Sequence, residues 1–264
     1  MSSRSTLRQW DTILFIALPV IATSITLATK PPYLVAILLF FAPLALWLSY
    51  RTPGPIVRAA VFSLCAALPA GIITNVLGVQ DRAWNVPNTL FPFRVLGIVP
   101  IEDLVLFVLL AYTIVMFHEH FLHKSHRTIA DHKMKYLLIP LFLVFSAFLI
   151  AVASDVEATI PYAYLWFSTL LVAVPVFAYL AAFPTHISHY IKVGAYFSAL
   201  LLLFEFVGLH FRYWVFTGER LVGWIPLLGF RIPVEEFIFW CVLSSVAILS
   251  YYEFFDEKGD KKAL

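Results

Sequence analysis

Apolar stretches close to twenty residues long recur along this chain, and they restrict the folds open to it more than any other feature. About 20 consecutive apolar residues carry an α-helix across a hydrocarbon core roughly 30 Å thick. Lipid offers no partner to backbone N–H and C=O groups, so a chain of this kind crosses as helices that satisfy themselves. Eight spans are expected: 12–29, 33–50, 59–79, 100–117, 136–154, 160–183, 193–211 and 233–252. Of the 264 residues, 61% are hydrophobic and 13% charged, more apolar surface than a soluble chain of this size could hide. The first span has no cleavage site after it, because Lys30-Pro31-Pro32 leads straight into the second. The expected fold is an all-α polytopic membrane protein with no separate soluble domain.

An even number of spans places both termini on one side. Twelve of the 18 Lys and Arg residues fall on that side and six on the other, which points to cytoplasmic termini. The net charge of +2 is too small to call for a nucleic-acid partner. Cys65 and Cys241 both fall inside spans and read as small apolar residues, not as a disulfide or a metal site.

Shifted by 130 residues, the chain overlays itself. Pro31 meets Pro161, Gly78 meets Gly208, Arg82 meets Arg212 and Trp84 meets Trp214. The chain therefore reads as two repeats, 1–132 and 133–264, integrated into one domain. Each holds four spans, so both run the same way across the membrane. Such a parallel duplication relates its halves by an axis along the membrane normal.

The duplication brings two motifs to one depth: Pro100-Ile101-Glu102-Asp103 and Pro233-Val234-Glu235-Glu236. Proline and acids also suit the first turn of an ordinary helix. That capping is worth roughly 0.3–1 kcal/mol per exposed charge. An acid near the bilayer centre costs about 2.5–3.5 kcal/mol, less toward the interface. Capping alone does not offset two adjacent acids in each copy, so the paired motif reads as a functional site. Asn75 corresponds to Glu205 one turn from the outer end. Together these residues predict a polar layer of Asn75, Glu102, Asp103, Glu205, Glu235 and Glu236. Clustered carboxylates in an apolar setting cannot all ionise, so at least one is expected to stay protonated. A protonated acid beside an ionised one is equipment for isomerising or cyclising an olefin. The 25 Phe, 12 Tyr and 7 Trp supply ring faces that can stabilise a cation. Trp84, Trp214, Phe107 and Phe239 are the expected walls of such a site. Arg82 and Arg212 are expected either to hold ionised partners by charge-assisted bonds or to be interfacial loop charges.

The duplicated Pro-x-Glu-Glu/Asp motif, with a tryptophan-bearing loop before it and Phe-rich sequence after it, resembles the membrane-integral lycopene cyclases of carotenoid synthesis. In that family the halves occur as two small subunits, as a fusion, or as a fusion joined to a phytoene synthase. The resemblance covers 33–117 and 162–252 in the fused form. No DDxxD prenyl-diphosphate motif is present. The resemblance implies a redox-neutral reaction. A terminal double bond of the linear ψ end of lycopene is protonated, the tertiary cation is attacked by the C5–C6 alkene, and loss of the C6 proton leaves a β-ring. It also implies Glu102, Asp103, Glu235 and Glu236 as the catalytic acids. Glu235 or Glu102 is the expected donor, and Glu235→Gln is expected to keep the fold and abolish product. Asp103 departs from the Glu-Glu pattern common in the first motif. The Gly-x-Gly-x-x-Gly signature of flavin-dependent cyclases is missing, so no flavin, other cofactor or metal is expected. The implied partners are a long-chain carotenoid, taken from the lipid phase, and membrane lipid, with room for a homo-oligomer. Related members act on C50 carotenoids, so both chain lengths stay open, as do one and two rings.

Two rival readings come from other residues. His118, His120, His123, His126, His132, His186 and His189 gather on the expected cytoplasmic side, and imidazole is a good iron ligand. A di-iron lipid hydroxylase is the alternative they carry; a weakly basic interfacial loop is the simpler account. The intramembrane acids and parallel repeats would also fit a proton-coupled transporter. His210 is expected near Glu205.

Overall fold

The computed structural model describes residues 2–122, 161–218 and 220–255, together with Ser146 and Ile150. Seven of its helices are long and apolar enough to cross a membrane. They are α1 (Ser2–Thr29), α2 (Tyr33–Arg51), α3 (Ile56–Gln80), α4 (Ile101–Phe121), α5 (Ala163–Ala182), α6 (Ile187–Phe211) and α7 (Glu236–Glu253). The expected span 136–154 lies outside the described residues, Ser146 and Ile150 apart. Several starts differ from the hydropathy reading, those of α5 and α6 among them. Helix α5 begins at Ala163 because Tyr162 takes a left-handed backbone, φ 59°. Helix α6 begins at Ile187, since Ser188, His189 and Lys192 are polar but helical.

Three helices contain a π-helical stretch: Ser63–Ala67 in α3, Thr169–Ala173 in α5 and Glu236–Leu243 at the start of α7. A π turn accommodates one extra residue and is frequent at functional sites.

Lipid tails are as apolar as leucine, so close packing and polar contacts hold such a bundle together. Its centre is aromatic and aliphatic. Phe40, Phe41, Leu44, Leu110, Phe197, Leu200 and Phe204 are at most 1% exposed. At the end of the bundle where α4 finishes, two polar clusters tie helices together. Asp11 of α1 accepts bonds from Trp47 Nε1 at 3.1 Å and Arg51 Nη2 at 2.9 Å, and pairs with His120 Nε2 at 3.1 Å. Glu119 of α4 accepts from Arg58 at 2.5 Å and from Tyr252 O–H at 2.6 Å. Asp11→Ala would strand three donors at once. It is expected to lower stability by about 2 kcal/mol, less than a fully buried pair because Arg51 is partly exposed. Thermal unfolding of the protein in detergent measures this; an unchanged midpoint would remove the cluster from any structural role.

The opposite end carries two loops of matching build. Each leaves its helix through an arginine in left-handed conformation, Arg82 (φ 52°) and Arg212 (φ 55°). Each then forms a small hairpin, β2 (Arg94–Val95) with β3 (Val99–Pro100) and β5 (Trp224–Leu227) with β6 (Phe230–Pro233). Both hairpins turn on a Leu-Gly pair at positive φ, Leu96-Gly97 and Leu228-Gly229. Leucine is uncommon there. Between the hairpins, β1 (Trp84–Asn85) pairs antiparallel with β4 (Val215–Phe216), Trp84 opposite Phe216 and Asn85 opposite Val215.

Candidate active site

Pro100 is the last residue of β3 and the first residue before α4, extended at φ −63°, ψ 142°. Its fixed φ and missing N–H suit that junction. Glu102 and Asp103 therefore fall in the first turn of α4. Neighbours on a helix point about 100° apart, and the two side chains take separate tasks. Glu102 reaches under its own loop, where the Leu90 and Phe91 N–H groups donate to Oε1 at 2.6 and 3.1 Å. Asp103 accepts the Tyr33 O–H on Oδ1 at 2.8 Å. The second copy repeats the division. The Val222 N–H donates to Glu235 Oε1 at 2.6 Å, and the Tyr164 O–H donates to Glu236 Oε2 at 2.8 Å. The first acid of each motif holds a loop; the second holds a tyrosine. Helix capping explains none of these bonds.

Asn75, Asp103, Glu205 and Glu236 line one cavity of about 60 Å³. Neither Glu102 nor Glu235 lines it. Trp84, Trp214, Phe107 and Trp240 form aromatic walls. Glycines seat the first two indoles: a Cβ on Gly78 would collide with the Trp84 ring, and one on Gly208 with Trp214. Trp214 Nε1–H donates to Glu205 Oε1 at 2.9 Å. The indoles also cross over. Trp84 meets Tyr164 edge-on at 4.7 Å, while Trp214 meets Tyr33 at 5.7 Å. Each tryptophan thus braces the tyrosine that holds the other motif's acid. Buried oxygens of Asn75 (Oδ1), Glu102 (Oε2), Glu205 (Oε2) and Glu235 (Oε2) accept no hydrogen bond in the structure. Such groups cost about 1–3 kcal/mol each in an ordinary core. Their clustering singles this place out as the candidate site.

A second, apolar chamber of about 270 Å³ adjoins the first. The two share Thr74, Phe107, Tyr164 and Trp240. Phe239 lies in this chamber and not beside the acids. All three π-helical stretches contribute to its wall, through Ala67, Leu171 and Phe239 among others.

Several expected residues sit elsewhere. Arg82 and Arg212 do not line the cavity; they turn the chain out of α3 and α6. Another loop arginine, Arg220, lies 3.3 Å from Asp81. His210 is not beside Glu205. Five residues along a helix turns the side chain by about 140°, and His210 packs on Phe206, Phe211 and Phe230 instead. His118 pairs with Glu253 at 2.9 Å, His120 with Asp11, and His186 Nδ1 lies 2.9 Å from the Tyr179 hydroxyl. Among the described residues no group of three or more His, Cys, Asp or Glu could hold a metal ion; His123, His126 and His132 lie outside them. Tyr33 and Tyr164 were not anticipated. Their signal was present, because both follow a proline-led turn and lie 131 residues apart.

No protein-family model, curated protein or solved structure matches this chain.

Proposed function

We propose that this protein is a membrane-integral carotenoid cyclase of the lycopene β-cyclase type, acting by acid and base without cofactor or redox change. The observation that carries the reading is the matched pair of tyrosine-held acids, Tyr33–Asp103 and Tyr164–Glu236, facing one cavity with aromatic walls. In this reading the acids of the second motif position exchange roles with those of the first. Glu236 and Asp103 face the cavity and are the candidate donors. Glu102 and Glu235 hold the loops above it. Glu236 gives its proton to the terminal alkene. The tertiary cation forms between the faces of Trp84, Trp214 and Trp240, which attract positive charge. The C5–C6 alkene closes the ring. Glu205, held by the Trp214 indole, accepts the C6 proton. One proton enters and one leaves, so the product is an isomer.

The same proposal includes two four-helix repeats, an eighth span at 136–154, and cytoplasmic termini. The register of β1 on β4 supports the repeats. Under the 130-residue shift, Asn85 corresponds to Val215, and those two residues face each other in the ladder. A twofold axis would pass between them. The crossed Trp84–Tyr164 and Trp214–Tyr33 contacts obey the same axis.

The test is expression in lycopene-accumulating bacterial cells, with chromatography and mass spectrometry of the pigment. A new peak of unchanged mass and shorter-wavelength absorption is expected. Unaltered lycopene from well-expressed, inserted protein would count against a C40 cyclase, and a product heavier by oxygen would favour the histidine alternative.

A further inference from the structure

We infer that the duplicated site is served from one side only: a linear polyene chain lies in the apolar chamber between α3, α5 and α7, and Glu236 rather than Asp103 acts on its end. This rests on the cyclase reading.

The two halves differ where a chamber would form. From the last residue of its π turn onward, α3 presents Ala67, Ala70 and Thr74 to the chamber. At the corresponding positions α6 carries Phe197, Leu200 and Phe204. Those three are at most 1% exposed. Phe204 meets Phe40 at 5.1 Å and Phe41 at 5.4 Å. The location related to the chamber by the repeat is therefore packed solid. Small residues open one side and large ones fill the other.

The open side leads to one acid. Tyr164 borders both the chamber and the cavity, and its hydroxyl is bonded to Glu236. Tyr33, the partner of Asp103, borders the cavity alone. A chain lying in the chamber thus brings its tip past Thr74 and Trp240 to the Glu236 side. Away from there the chamber reaches the outer face of the bundle at Cys65, which is exposed.

The wall chooses among chains. Among the described residues no charged one lines the chamber. Two of its hydroxyls are already engaged: Tyr251 O–H donates to the Leu171 carbonyl and Ser244 O–H to that of Trp240. Nothing there receives a lipid headgroup. Phe107, Phe167, Phe239 and Trp240 offer ring faces to a flat conjugated chain.

The experiment installs the residues of α6 in α3, Ala70→Leu with Thr74→Phe, in the full-length protein. Two readouts are taken: ring formation in cells, and quenching of tryptophan emission by lycopene added in detergent micelles. Ring formation is expected to fall more than about a hundredfold, the scale of loss when a reactant is misplaced. Quenching is expected to disappear, with the thermal midpoint kept. Should the double variant fail to insert, Cys65→Phe at the exposed mouth is read in the same way. Alongside, Glu236→Gln is expected to lose far more turnover than Asp103→Asn. Wild-type ring formation in a plugged, folded variant, or equal losses in the two acid variants, would overturn the inference and leave the cyclase reading standing. Quenching that the plug abolishes, with no ring formed even by the wild type, would uphold the chamber and overturn the cyclase reading. Displacement of lycopene by saturated acyl chains at equal concentration would overturn the choice of occupant.

Discussion

Glu236→Gln is expected to suppress ring formation at least about a thousandfold while leaving the protein inserted and folded, within the range that a positioned general acid contributes. The substitution is nearly isosteric. A glutamine carbonyl can still accept the Tyr164 O–H, so the local packing persists. What is lost is the acidic proton, and among the described residues no other acid adjoins the chamber through its own tyrosine. At 25 °C a thousandfold loss corresponds to about 4 kcal/mol of barrier. Tyr164→Phe should be milder, because the phenol positions the acid without touching the alkene; it is expected to alter the pH dependence of turnover as well as its rate. Glu235→Gln is expected to retain measurable product, since its side chain can still accept the Val222 N–H. Pigment from the three variants in lycopene-accumulating cells, normalised to inserted protein, decides among them. Wild-type product from Glu236→Gln would sink the assignment, and complete loss from Glu235→Gln alone would restore the donor role to the first acid of the motif.

Gly208→Ala is expected to lower the thermal midpoint in detergent by about 4–8 °C, the shift given by about 2 kcal/mol in a chain of this order of size. The sign is informative, because alanine favours a helix over glycine by about 1 kcal/mol. Here the new methyl group meets the Trp214 ring inside contact distance. Overpacking of this kind costs about 1–3 kcal/mol. Moving the indole also breaks its bond to Glu205, leaving a buried acceptor at a further cost of about 1–3 kcal/mol. Gly54→Ala is the reference, since nothing lies within 4 Å of its added Cβ. A midpoint that rises in Gly208→Ala would show that Trp214 relocates freely, and with it the brace on Tyr33.

Much of this arrangement was legible before any coordinates. Periodic hydropathy located the seven described spans, because twenty apolar residues in a row leave little else to do. The paired motifs announced a polar layer, and Asn75, Asp103, Glu205 and Glu236 do share one cavity. What was not legible depends on side-chain direction. Adjacent acids on a helix point apart, but the pattern does not say which one faces inward. That choice is made by the loop amides of Leu90, Phe91 and Val222, which claim Glu102 and Glu235. Arg82 and Arg212 recur for a backbone reason as well: each takes the left-handed turn out of its helix, and neither lines the cavity. The chamber was hidden because alanine and threonine in α3 look unremarkable until set against phenylalanine and leucine in α6.

That last contrast bears on how such a molecule could come to exist. Two identical subunits around a twofold axis must carry the same residue at both related positions. They would have a hollow on each side or on neither, and any mutation would be felt twice. Under the duplication proposed above, joining the copies in one chain removes the constraint. Position 74 can then be threonine while its counterpart, 204, is phenylalanine. One copy keeps the hollow and the other becomes its buttress, a division of labour open only to a gene that no longer has to pair with itself.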